Sequence, residues 1–590
     1  MNYKKILYNF YINSFIIILI LYYSITQFLL PSLSIDRFKI SLIDILYVYL
    51  FSLISYNLSD KKLIISYLFI IVAVFSFFTI EPLGITILTK PIFFTDMQDL
   101  YPSLIEVLPL YMQIITIAST ILYFSSLLAF AIYFLYRLFK IFLVNKKKSA
   151  ILFFIIIITS YLSFFRQVKI NSIYPNYIER VNKYGIINSI SYRISFDREN
   201  NKITADIDNV KEAVELLKEV QNKRDILNLI MPYDNTDYTN ETKNIKNINS
   251  KRDVFIIFME SFYDYSHFLT LFDKDPFPKE YREWASKSAK VGPNDGNGSL
   301  FARLSGLIGT SPIYPKKQKS PIYTTLPFLM KEAGYKTIAL EECGVTFNLD
   351  KLFPNIGFEE TIFNLGLTNI KNYIKNNDFN KPVFISGFTF LGHAGSHIKN
   401  DLNIFENNKR FADKINKRDR KVLLETIENS VQAAIDIIET KNIILQKYPD
   451  AIIIFKHDHL YPYLSGMIYN SSINENIKKE FFESYAISPI LIWNGKNGAF
   501  RLEDGFPPEN IPLFIAANTG IDYADSIISL LYKDKTEGII RFYNNFYTNE
   551  NNKIVKIEVN KESLAYKYNY AQRILSEDIL RGKKYFNEIK

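Results

Sequence analysis

Residues 253–260 read DVFIIFME, and Ser261 follows. The run is short, continuously apolar and rich in β-branched and aromatic residues, and it ends on a carboxylate. That is the pattern of a strand buried on both faces. Four later runs share it: KTIALE at 336–341, PVFISGF at 382–388, AIIIFKHD at 451–458 and PILIWN at 489–494. Helical periodicity separates them, best at 323–333 and 420–445. Buried strands alternating with helices predict a parallel sheet covered by helices on both faces. In such sheets the chemistry gathers at the carboxyl ends of the strands.

The strand ends carry the residues that matter. The first ends in Glu260-Ser261. The third leads through Thr389 into GHAGSH, with His393 and His397, and the fourth ends in KHDH, with His457, Asp458 and His459. All five histidines lie beyond residue 250, and four fall just past these two strand ends. Carboxylates and imidazoles at converging strand ends make a metal-site pattern, whereas scattered core histidines would not concentrate there. Between the first two strands stands PNDGNGSLFARLSGLIGT, from residue 293. Gly296 and Gly298 let the backbone approach a ligand, and a helix beginning there offers N–H groups and a positive dipole end to an anion. Ser299 stands at that helix start, where its position alone reads as an N-cap.

Outward from this core the composition changes. Of the 590 residues, 48% are hydrophobic and 15% aromatic, and the excess sits in the first third. Length alone favours at least two domains. Five segments are candidate transmembrane helices, at about 6–30, 40–58, 63–80, 109–136 and 149–165, giving an anchor over 1–166. The first is too long for a signal-peptide core and lacks a small-residue cleavage site. With the N-terminus inside, the inner flanks hold nine basic residues, namely Lys4, Lys5, Lys61, Lys62, Arg137, Lys140, Lys146, Lys147 and Lys148. The outer loops between spans hold Arg37, Lys39 and Lys90, and Arg166 and Lys169 follow the last span. This balance predicts a multi-pass protein of a bacterial cytoplasmic membrane with the chain after about 170 on the outer side. The net charge of +9 comes without a nucleic-acid-binding motif and with its basic residues at membrane borders, so no nucleic-acid partner is expected. The single cysteine, Cys343, excludes an intrachain disulfide and reads as structural.

Residues 167–250 read as a connecting region. An amphipathic helix is expected over 210–230, lying along the membrane or the domain, and an Asn-, Thr- and Lys-rich linker over 233–250. The catalytic domain is expected over 251–525. Residues 526–590 carry no motif and read as its C-terminal extension, with a surface helix over 562–590.

Over about 251–525 the chain resembles the lipoteichoic acid synthase and phosphoglycerol transferase branch of the alkaline phosphatase/sulfatase superfamily. The resemblance rests on Met259-Glu260-Ser261 ending the first strand, on Asp458-His459 ending a later one, and on Thr389 four residues before His393. It rests also on Phe353-Pro354 with Gly357-Phe358 after the second strand, and on the spacing of Ser299, Arg303 and Gly309. It implies a sulfatase-like α/β domain and one divalent metal ion, manganese first, with magnesium and zinc as alternatives. It further implies Ser299 as nucleophile and Glu260, Ser299, Asp458 and His459 as metal ligands, with His457 as a further candidate. Substrate contacts would come from His393, Arg303 and Lys351, with His397 as a further candidate. The family's aromatic-Asn-Arg run is replaced by Phe347-Asn348-Leu349, so its phosphate-gripping arginine is missing and Lys351 stands nearby as a point charge. His457 replaces a small residue, and Leu460-Tyr461-Pro462-Tyr463 stands where an aromatic-Gly pair is usual.

The implied reaction moves a phospho-headgroup, phosphoglycerol first, from a membrane phospholipid donor to a cell-envelope glycan or polymer acceptor through a Ser-linked intermediate. A phosphoethanolamine transferase is an alternative, disfavoured by the Met-Glu-Ser start. A sulfatase- or phosphatase-type hydrolase is another, disfavoured by Phe301 where a formylglycine signature has proline. The non-enzyme alternative is an inactive lipid- or glycan-binding domain, favoured by the missing arginine and opposed by the intact Glu260, Ser299, Asp458 and His459 set.

Overall fold

The computed structural model describes residue 136 and, beyond it, 205–220, 251–291, 298–309, 321–345, 349–392, 408–458, 464–469, 471–483, 488–502, 506, 508–530, 539–542, 545–550, 553–557, 559–560, 562–580 and 584–589. The chain divides into two compact units, Met1–Lys202 and Ile203–Lys590. The five expected spans belong to the first and, apart from Tyr136, lie outside the described residues. No described helix is long and apolar enough to cross a membrane.

The second unit is built on a seven-stranded sheet. Its strands are β1 Val254–Met259, β2 Ala289–Val291, β3 Lys336–Glu341, β4 Glu360–Ile362, β5 Val383–Thr389, β6 Ile452–His457 and β7 Ser488–Asn494, in the order β2-β7-β6-β1-β5-β3-β4. All five apolar runs of the sequence are strands. β4, β3, β5, β1 and β6 are parallel, while β7 runs antiparallel to β6 and β2 antiparallel to β7. The expected parallel sheet is therefore mostly parallel: a run buried on both faces reads the same in either direction. β2 and β4, three residues each, are edge strands too short to show a pattern. A second sheet, antiparallel, holds β8 Ile539–Phe542, β9 Asn545–Glu550 and β10 Lys553–Ile557. It lies in the extension that carried no sequence motif.

The helices, in chain order, are α1 Ile207–Val220, α2 Lys279–Ser286, α3 Gly298–Ile308, α4 Leu326–Glu332, α5 Leu349–Asn355, α6 Asn369–Asn376, α7 Lys409–Lys414, α8 Lys417–Lys447, α9 Leu464–Tyr469, α10 Glu475–Glu483, α11 Ile511–Thr519 and α12 Leu564–Leu580. Alternation along β1 divides two cores. Val254, Ile256 and Phe258 pack toward α3, α11, α12 and α1, and Phe255, Ile257 and Met259 toward α2, α6 and α8. In α8, Leu423, Ile427, Val431, Ala434 and Ile438 recur at helical spacing and are buried, and the helix stops just before Pro449. The landmark Gly357 takes φ +107°, and a Cβ there would lie 2.4 Å from the Phe328 backbone, so only glycine fits between α5 and α4.

Of the helix expected over 210–230, the part to Val220 is described as α1, which packs on α12 in the first core; residues 221–230 lie outside the described residues. Tyr568, Ala571, Leu575 and Ile579 of α12 are buried. The surface helix expected over 562–590 is thus a core element.

Candidate active site

The site grows from the ladder itself. Beyond the strands proper, the Glu260 N–H donates to the Thr389 carbonyl and the Asp458 N–H donates to the Met259 carbonyl, each at 3.0 Å. The ends of β5, β1 and β6 are thereby held side by side. Ser261 then turns the chain with φ 52°, in the left-handed region that a non-glycine residue enters only under constraint. Its N–H donates to Asp458 Oδ1 at 2.8 Å and its hydroxyl donates to Glu260 Oε1 at 2.7 Å. One serine therefore ties together two carboxylates from neighbouring strands, of which Glu260 is 5% and Asp458 0% exposed. Gly392 closes the third side. A Cβ on it would lie 2.0 Å from the Glu260 carbonyl oxygen, so the β5 loop presses its backbone directly against the end of β1. The chain is described up to this glycine, immediately before His393.

Helix α3 lies over β1 at close range, since a Cβ on Gly306 would meet the Phe258 ring at 2.8 Å. Ser299 stands in the first turn of α3. One turn on, Arg303 is buried; its Nη1 donates to Glu341 Oε2 at 2.6 Å and its guanidinium lies 4.0 Å from the Phe388 ring centre. Burial raises the Glu341 carboxyl above its ordinary range, opposed by that guanidinium. Arg303, one of the expected substrate contacts, stands between the ends of β3 and β5. Lys351 is exposed on α5, where its carbonyl accepts from Asn355 Nδ2. His457 is buried on the α8 side of the sheet, following Phe455 by alternation and level with Met259. His393, His397 and His459 lie outside the described residues.

Sequence reasoning missed two participants. Glu342, next to the paired Glu341, is 5% exposed; its N–H donates to the Phe388 carbonyl and its Oε2 accepts from the Phe390 N–H at 2.9 Å. Burial pushes its carboxyl up to about 7. It lines a small cavity with Met259, Lys371, Thr389, Asp436 and Thr440. Lys456 is buried, and burial lowers its ammonium to about 8 against the pull of Asp458 and Glu509. The signal for Glu342 was present, because KTIALE runs directly into a second glutamate at a strand end. Cys343 follows it, half-buried, with its thiol pushed up to about 11 by burial, which makes it a poor thiolate and fits the structural reading.

Among the described residues no three carboxylate, imidazole or thiolate side chains form a complete cation site. The partial set nevertheless fits a hard divalent ion. Glu260, Asp458, Glu341, Glu342 and Glu509 are buried carboxylates at this end of the sheet, against Arg303 and Lys456 as buried cations. Buried carboxylates in excess of cations require a counter-charge or a proton. Oxygen donors on adjacent strand ends suit manganese, magnesium or zinc.

No protein-family model and no curated protein matches the chain. Among solved structures it is similar to the Streptococcus pyogenes phosphoglycerol transferase GacH in complex with sn-glycerol-1-phosphate, at 14% identity and a TM-score of 0.39, over 65% of this chain and 96% of that one. It is similar also to the lipoteichoic acid synthase LtaP from Listeria monocytogenes, at 12% identity and a TM-score of 0.38, over 59% and 95% of the two chains. A protein in the alkaline phosphatase superfamily from Vibrio parahaemolyticus is similar at 15% identity and a TM-score of 0.38, over 58% and 88%. The solved structures to which this chain is similar thus include a protein in the alkaline phosphatase superfamily, a lipoteichoic acid synthase and a phosphoglycerol transferase.

Proposed function

We propose that the chain is a membrane-anchored, divalent-metal-dependent transferase of the alkaline phosphatase/sulfatase superfamily. It moves phosphoglycerol from a membrane phospholipid to a cell-envelope glycan or polymer through a Ser299-linked intermediate. The observation that carries this reading is the buried pair Glu260 and Asp458, joined through Ser261 at the ends of β1 and β6, with the helix bearing Ser299 crossing β1.

Glu260, Asp458, His459 and Ser299 are the residues that would hold the metal, which when bound supplies Lewis-acid activation of the Ser299 hydroxyl. The Ser299 oxygen attacks phosphorus, forming the O–P bond as the P–O bond to diacylglycerol breaks. The serine proton ends on the departing diacylglycerol oxygen. The acceptor hydroxyl then displaces Ser299, its proton returning to the serine. N–H groups at the start of α3 face the phosphoryl oxygens. The Arg303–Glu341 pair supports a role in holding α3 against β3, so that Ser299 keeps its place. His393, Arg303 and Lys351 are the candidates for phosphate contact, with His397 a further candidate for substrate and His457 for the metal.

Full-length protein in detergent is incubated with manganese and labelled phosphatidylglycerol or phosphatidylethanolamine, beside Ser299→Ala. Wild type should release diacylglycerol from phosphatidylglycerol, and the variant should lose at least about a thousandfold in rate. Release from phosphatidylethanolamine alone would move the donor. Turnover of simple phosphate or sulfate esters without either lipid would make the protein a hydrolase, and silence on every substrate would leave a binding domain.

A further inference from the structure

β6 carries a lysine where its neighbours are aliphatic. Ile452 and Ile454 face the core shared with Phe258, and Lys456 follows them by alternation, 1% exposed, its ammonium 5.9 Å from the Phe258 ring centre. Its Nζ donates to the His457 carbonyl at 3.0 Å. Two carboxylates attract it: Asp458, two residues on, and Glu509. Glu509 is itself 0% exposed and belongs to the 3-10 turn Pro508–Asn510, which packs against α3. An ammonium in a strand interior carries a desolvation cost that an isoleucine would not. Lys456 lies level with Phe258 in the ladder, two residues before the end of β1 at Glu260, and Asp458 follows it at the end of its own strand, while the turn holding Glu509 packs on the nucleophile's helix.

We infer that Lys456 is a positioning residue: a fixed positive charge behind the Glu260–Asp458 pair that steadies both carboxylates and sets their affinity for the divalent ion. The inference rests on reading Glu260 and Asp458 as cation ligands. A fixed charge there acts in two directions. It offsets carboxylate repulsion when no ion is bound, and it repels an incoming cation. Removing it tightens cation binding while weakening the metal-free protein. Neutralising Glu509 leaves the ammonium less compensated and loosens cation binding. A lysine present only for packing produces neither shift.

The test titrates manganese into full-length, EDTA-stripped and dialysed protein in detergent, following free manganese by electron paramagnetic resonance. Activity plays no part in it. Lys456→Met and Lys456→Gln should bind manganese more tightly, on the order of tenfold. Lys456→Arg should keep the wild-type affinity and Glu509→Gln should bind more weakly. The metal-free melting temperature should fall in Lys456→Met, and manganese should raise it by more than in wild type. Lys441→Met is the control: this buried lysine pairs with Glu280 between Trp284 and Trp493, and its loss should leave manganese affinity unchanged. Lys456→Gln can keep a hydrogen bond to the His457 carbonyl, so it reports the charge if the methionine variant does not fold. Unchanged or weaker binding in both neutral variants, with wild type binding normally, overturns this role alone. No manganese uptake by wild type overturns the cation site and this role with it.

Discussion

Glu342 is a carboxyl group set under the loop that leads to His393. It accepts the Phe390 N–H and lines the cavity with Thr389, Lys371 and Asp436, and the last two are paired to each other at 2.7 Å. Burial is the main reason its proton is held up to about 7, against an ordinary 4.5. The unfolded chain releases that proton near 4.5 and the folded chain only near 7. Between those values the folded state binds more protons, so stability falls as pH rises through the window. Once the window is crossed the loss amounts to about 3 kcal/mol. Glu342→Gln should flatten this dependence, gaining stability relative to wild type at about pH 8 and little at about pH 5. Urea unfolding of metal-free protein at the two pH values measures it; parallel losses in both proteins would assign the dependence elsewhere. The same residue marks the limit of what the sequence discloses about the site. Glu260 and Asp458 were legible because a carboxylate ending a buried strand has few structural uses. Glu342 carried the same signal after KTIALE and was passed over, whereas Lys456 and the partner of Arg303 gave none, since spacing gives a position on an element but not the residue that faces it. Glu341 lies 38 residues from Arg303 and meets it only across the sheet.

Three strand ends meet because one loop comes unusually close. Gly392 brings the segment after β5 against the end of β1, where a methyl group would lie 2.0 Å from the Glu260 oxygen and 3.0 Å from the Phe262 nitrogen. Both obstacles are backbone, so no side chain can turn aside and the loop must lift. Gly392→Ala should cost about 1–3 kcal/mol and weaken manganese uptake. Gly387→Ala is the comparison: its methyl meets Ile370 Cδ1 at 3.2 Å, a side-chain atom that can give way. A Gly392→Ala protein that binds manganese as wild type does would separate the loop from the site. Elements were read unevenly for related reasons. The five long strands announce themselves because burial on both faces keeps each run mainly apolar, with few polar positions to break the pattern. β2 and β4 are three residues long, and β7 hides its direction, because pairing direction lives in the hydrogen bonds and not in the side chains. Among β8, β9 and β10, the stretch Tyr547-Thr548-Asn549-Glu550 is too polar to read as a buried strand.

At the scale of the whole α/β unit, the domain boundary is set by α1. Val210 at 0%, Val214 at 5% and Leu217 at 1% exposure pack with Tyr568, Ala571 and Leu575 of α12 in the core that also receives Val254, Ile256 and Phe258 of β1. The polar stretch between α1 and β1 hid this in the sequence: a linker composition at 233–250 reads as a border, although the helix before it closes the core. Three large apolar side chains at about 1.5–3 kcal/mol each make several kcal/mol, comparable to the net stability of an ordinary domain. A chain beginning at residue 203 should therefore melt cooperatively, whereas one beginning at 251 should expose α12, lose well over ten degrees or so of melting temperature and aggregate. Calorimetry of the two truncations, with Leu217→Asp in the longer one as a point version of the same loss, measures it. If the shorter chain melts at the same temperature as the longer one, α1 is a passenger on α12 and the boundary belongs at 251. If the Leu217→Asp chain behaves like the shorter truncation, burial by α1 is what completes the unit.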